Sequence, residues 1–140
     1  MTYLFLCVFR FPCLPGSREF AELLETAYAI RHPGLPITQM AVFLEQHASE
    51  GAHTHFHATV KAERVHRWSP IVTYLRGRGV YVHASKTHPL YYSCFRYCTM
   101  PSANKPRSEI DSSQWFSDGH PPVHEACRIP ATAQATAALA

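Results

Sequence analysis

Apolar and polar positions along this chain follow two rhythms, one of period two and one of period three to four. Residues 3–10 (YLFLCVFR) are a nearly unbroken run of β-formers closed by Pro12, Pro15 and Gly16, which predicts a buried first strand. Phe20, Leu23, Leu24, Ala27 and Tyr28 then recur on one face of a helix from about residue 18 to 31. Ser17 is its expected N-cap, and His32-Pro33-Gly34 closes it. Residues 37–47 (ITQMAVFLEQH) contain a second strand reaching Glu45, residues 48–52 a polar turn, and residues 53–61 (HTHFHATVK) a third strand antiparallel to the second. Val65, Trp68, Val72 and Leu75 mark a helix over 63–76, with Pro70 a weak point near its start. Val80 to Ala84 make a fourth strand, and a last helix runs from Thr87 or His88 to about Met100.

This order, β-α-β-β-α-β-α, predicts an α+β fold with a mostly antiparallel central sheet and helices packed against it. The domain is expected over residues 1–110. Residues 102–125 are polar and rich in Pro and Ser, residues 131–140 are an Ala/Thr segment, and 111–140 read as a tail or linker.

Composition adds less than pattern. The chain has 140 residues and 46% hydrophobic content, enough for one packed core, and its net charge of +3 admits a nucleic-acid partner without requiring one. Five cysteines without a CxxC pair argue against a disulfide framework and for a reducing compartment. The apolar N-terminal run lacks a basic start and a small-residue cleavage site, so it reads as a strand and not as a leader.

Chemistry concentrates in two places. On the third strand, alternation sends His53, His55 and His57 to one face and Phe56 to the other, where it anchors the strand. His55 and His57 then have Cβ atoms roughly 6–7 Å apart, a spacing at which two imidazoles converge on one divalent ion. The hairpin brings Glu45 alongside as a third ligand, and a carboxylate with two imidazoles suits Mn²⁺ or Mg²⁺ acting on a phosphate. The plainer alternative is a solvated histidine face.

The second place is the segment PLYYSCFRYCTM (89–100). Leu90, Tyr91, Cys94, Phe95 and Cys98 fill its apolar arc, with Tyr97 at one edge and Tyr92 near the other. An edge tyrosine is both held by packing and open to a phosphodiester, whereas Tyr91 faces inward. Arg96 and Lys105 are placed to neutralise phosphate oxygens, and Arg10, Lys61, Arg64, Arg67, Arg76, Arg78 and Lys86, with Trp68 as a stacking or core aromatic, are the pool open to a polyanionic partner, against the plainer alternative of a solvated surface.

Taken together, the acid strand AVFLEQH, the metal strand HTHFHATVKAERVHRW, the strand VYVHAS and the block YYSCFRYCTMPSANKP resemble the HUH endonucleases of the replication-initiator type. That group includes geminivirus-like replication initiators and the proteins of Replitron-like eukaryotic transposons. The resemblance covers about residues 3–110. It implies a ferredoxin- or RRM-like fold, His55, His57 and Glu45 as ligands of Mn²⁺ or Mg²⁺, and Tyr97 as the nucleophile, with Tyr92 as second candidate. The family's motif places Lys three residues after the tyrosine. Met100 stands there in this chain, and Lys105 is the expected substitute. Such proteins nick single-stranded DNA, including hairpin-bearing strands, and hold the 5′ phosphate on tyrosine before passing it to a free 3′ hydroxyl. The implied role places the chain in the nucleus or elsewhere inside the cell. The rival from another class is an RRM-like module that binds nucleic acid without catalysis. A structural zinc site on His120, His124 and Cys127 is a third, weaker option, because the spacing fits no finger.

Overall fold

A computed structural model describes residues 3–10, 16–45, 55–84, 91 and 114–120, with residues 3–10, 45 and 55 described by backbone alone. Chain order is β1 (Tyr3–Arg10), α1 (Ser17–Arg31), β2 (Ile37–Glu45), β3 (His55–Ala62), α2 (Ser69–Gly77), β4 (Tyr81–Ala84) and β5 (Gln114–Phe116). The sheet runs β4-β1-β3-β2-β5, and every neighbouring pair is antiparallel. The fold is therefore α+β, with an antiparallel sheet. Its first four strands have the split β-α-β order of ferredoxin-like domains, because each helix carries the chain past one strand before it returns.

The helices cover one face. Phe56, Ala58 and Val60 of β3 and Met40 and Val42 of β2 meet Phe20, Ala21, Leu24 and Ala27 of α1, with Ile71, Tyr74 and Leu75 of α2 beside them. Phe56 is 1% exposed and its ring centroid lies 5.9 Å from that of Phe20, so it is the anchor that alternation predicts. Gly34 and Gly79 have φ of 79° and 78°, which lets the chain turn sharply out of each helix where a Cβ would strain the backbone.

Three expectations change. Ser17 does not cap α1. Gly16 occupies that position without a side-chain cap bond, and Ser17 is buried in the first turn. The helix predicted over 63–76 begins only at Ser69, since Pro70 sits in its first turn, where a missing N–H costs nothing. Residues 63–68 are a loop, Val65 is exposed, and the buried stripe becomes Ile71, Tyr74 and Leu75. Finally, the expected tail beyond residue 110 contributes β5. Its Trp115 packs on the core, and Ser117 bonds Met40 through both backbone and side chain. A strand of three residues carries too short an alternation to stand out in a polar segment. Among the described residues, no helix is long and apolar enough to cross a membrane.

Candidate metal centre

The face of the sheet turned away from the helices is also covered. His57 is 3% exposed, Thr59, Ala41 and Phe43 are fully buried, and these side chains form a continuous patch across β3 and β2. A solvated histidine face is thus not what position 57 experiences. Antiparallel register explains the composition of the patch, since directly opposed residues project to the same side. His57 lies between Val8 of β1 and Phe43 of β2, and Thr59 between Leu6 and Ala41.

The same register settles the relation of the three predicted ligands. Glu45 is the direct partner of His55, and Arg10 is its partner on the other side. Alternation along β3 places position 55 on the face of His57. Positions 45, 55 and 57 therefore converge at one end of the sheet, on two adjacent central strands. The side chains of Glu45, His55 and Arg10 lie outside the described residues, and among the described residues no group of three or more ligating side chains gathers. The donor set itself suits a divalent ion, being one carboxylate and two imidazoles in register.

What covers this face is a hydrogen-bonded chain. The Thr59 hydroxyl donates to the Tyr91 hydroxyl at 3.1 Å, and the Tyr91 hydroxyl lies 2.6 Å from His120 Nε2. With the Thr59 proton already directed at it, the Tyr91 oxygen is left with its own proton for His120. Tyr91 is 2% exposed, the inward position its place in the apolar arc predicts. Phe116 packs edge-on to Phe43, with centroids 5.6 Å apart, and its ring also meets His120 at 5.1 Å. His120 thus serves this network. In the sequence it stands out only as a weak zinc candidate, and its partners His124 and Cys127 lie outside the described residues. The one signal for its place is local: an aromatic pair, Trp115-Phe116, and a turn at Gly119 with φ of 75° just before it.

The remaining predicted positions are scattered. Lys61 shares the strand face of His57, but four residues farther along β3, about 13 Å away at the usual rise. Arg67 lies in the loop before α2, in the helical layer, where its carbonyl accepts a 2.8 Å bond from His32 Nε2. Tyr97, Tyr92, Lys105, Lys86 and Arg96 fall outside the described residues. No family model, curated protein or solved structure matches this chain.

Proposed function

We propose that this chain is a metal-dependent single-stranded DNA nickase and strand transferase of the HUH type, working through a 5′-phosphotyrosine intermediate. The observation that carries the reading is the register of Glu45 with His55, next to His57, which is buried two residues farther along the same strand on the same face. Buried polar side chains are costly unless bonded, so a sheet face built from His57, Thr59, Tyr91 and His120 is an expensive way merely to fill space.

Glu45, His55 and His57 would hold a Mn²⁺ or Mg²⁺ ion, which would supply Lewis-acid activation of the scissile phosphate. Tyr97, its phenolic proton lost, attacks phosphorus. The tyrosine O–P bond forms, the P–O3′ bond breaks, and the 3′ oxygen leaves as a hydroxyl after taking up a proton. In the second step a free 3′ hydroxyl attacks the same phosphorus and releases the tyrosine. Arg10, the register partner of His55, and Lys105 are assigned to the charge of the phosphate oxygens.

The test is denaturing gel electrophoresis of the protein with labelled single-stranded oligonucleotide and Mn²⁺. A covalent adduct forms with the wild type and disappears with Tyr97→Phe. An adduct that survives Tyr97→Phe and vanishes with Tyr92→Phe moves the nucleophile. An adduct insensitive to both ends the proposal. The β-α-β-β-α-β order is shared with RRM-like binding modules, which favours a second reading in which DNA is bound without cleavage. Under that reading binding is indifferent to EDTA and no adduct appears.

A further inference from the structure

Between the second half of α1 and the β5 edge of the sheet, the helical layer leaves a groove of about 420 Å³. Its position follows from register. Trp115 pairs with Val42 and so projects to the helix side of the sheet, and Ser117, two residues on, projects there with Met40. Over this edge α1 sets Tyr28 and Ala29, the latter contributing only a methyl group, and Leu35 and Ile37 close the wall. The result is a concave, mostly apolar surface near the lower end of the size range of small-molecule sites.

Two polar groups interrupt that surface near one end. Glu25 precedes Tyr28 and Ala29 by three and four positions, which puts it on their face of α1, and it lines the groove. Partial burial, then the nearby Glu22 and Asp118, hold its carboxyl above the ordinary 4.5. No fixed cation answers it. Among the described residues the ion pair found joins Arg18 to Glu22 at 3.1 Å, and Arg31 lies over the Tyr74 ring of α2. The second group is Ser117, whose Oγ accepts the Met40 N–H at 2.9 Å and keeps a lone pair for a further donor. His32 lies at the far end, about 10 Å from Glu25 along the helix, with its Nε2 proton given to the Arg67 carbonyl.

We propose that this groove binds a small organic amine, its protonated nitrogen at Glu25 and Ser117 and its aromatic or aliphatic body against Tyr28, Leu35, Met40 and Trp115. Charge decides among occupants. An anionic ligand meets Glu25, Glu22 and Asp118, and a neutral one leaves the partly buried carboxylate without a counter-charge. Length decides too. A recess of about 10 Å from Glu25 to His32 suits a single small molecule, whereas a bound peptide needs a sheet edge or a long groove. The site lies in the helical layer, on the other side of the sheet from positions 45, 55 and 57, and does not depend on the nicking reading.

Methyl-labelled methionine NMR of the full chain, with tryptamine as the probe, tests it, because Met40 lines the groove and Met40→Leu identifies its signal. The Met40 methyl shifts saturably, with Kd on the order of 0.1–1 mM for a ligand of about twelve heavy atoms. Tryptophol, with a hydroxyl in place of the amine, binds at least about tenfold more weakly, and indole-3-propionate leaves the methyl unmoved. Glu25→Gln, on the exposed side of α1, lowers tryptamine affinity about five- to tenfold and leaves tryptophol unchanged. Ala29→Phe, also at an exposed helix position, fills the groove and abolishes binding of both. An unmoved Met40 methyl, equal affinity for tryptamine and tryptophol, or a tryptamine preference that survives Glu25→Gln overturns the proposal. So does unchanged binding in Ala29→Phe. A Lys-containing tripeptide that binds at least about tenfold tighter than tryptamine overturns the small-molecule assignment and makes the occupant a peptide side chain. None of these outcomes turns on formation of a DNA adduct, so the groove and the nicking reading fail separately.

Discussion

The two faces of the sheet are both buried, yet they are built from different materials. Toward the helices, β3 and β2 present Phe56, Ala58, Val60, Met40 and Val42, all apolar, and the polar atoms in the cluster they form are the hydroxyls of Tyr28 and Tyr74 on the helices. Toward the other side the same strands present His57, Thr59, Ala41 and Phe43, closed over by Tyr91, Phe116 and His120 with hydrogen bonds between them. The first face gains from area removed from water and tolerates no loss of volume. The second gains less, because each buried hydroxyl or imidazole needs its partner to offset desolvation. Burial alone therefore does not tell a core from a site. The chemistry of what is buried does.

Substitutions separate the two. Phe56→Ala removes the largest apolar side chain of β3 from a closed core and should lower unfolding free energy by about 3–5 kcal/mol, measured by urea denaturation. A loss under about 1 kcal/mol contradicts the closed packing of that face. Tyr91→Phe keeps the ring but strands the Thr59 and His120 partners, at about 1–3 kcal/mol. A neutral outcome means the polar network is not what holds the second face shut.

Ionisation extends the contrast to the rim of the helical face. His66 Nδ1 lies 3.2 Å from the Arg64 carbonyl, which only accepts, so Nδ1 carries the proton and Nε2 accepts from the Tyr28 hydroxyl at 2.7 Å. Burial, with His32 nearby, holds His66 below its ordinary value of 6.5, against the pull of that carbonyl. Folded His66 thus takes up a proton less readily than the unfolded chain does. Its contribution is present above pH 6.5 and is lost as pH falls through the lower folded value. Urea midpoints measured down through that range should drop more steeply for the wild type than for His66→Gln. Parallel curves remove His66 from the account.

The smallest effect is at Glu25, whose carboxyl is raised above its ordinary 4.5 by partial burial and then by Glu22 and Asp118. Here the sign is opposite: the folded state favours the proton, so stability is present below pH 4.5 and lost as pH rises through the folded value. Glu25→Gln should raise the melting temperature slightly at pH 7 and leave it unchanged well below 4.5. A lower melting temperature at neutral pH would show that the carboxylate has a favourable partner.

Sequence pattern alone determined a good deal: the α+β class, the places of α1, β2 and β3, the inward set of Phe20, Leu24 and Tyr28, and the alternation that separates His57 from Phe56. These depend on periods of two and 3.6 residues, which any local stretch displays. It also singled out Glu45 with His55 and His57, because a short hairpin constrains which residues can be neighbours. Other features were decided only in three dimensions. The start of α2 at Ser69 depended on how Pro70 meets the first turn, and β5 on a distant edge of β2 that was open for pairing. The Thr59–Tyr91–His120 chain joins residues 32 and 29 positions apart, and the Tyr74 ring of α2 meets both Arg31 at the end of α1 and Arg78. No local period records such meetings. They follow from how the sheet orders its strands, which is a property of the whole chain's packing and not of any one segment.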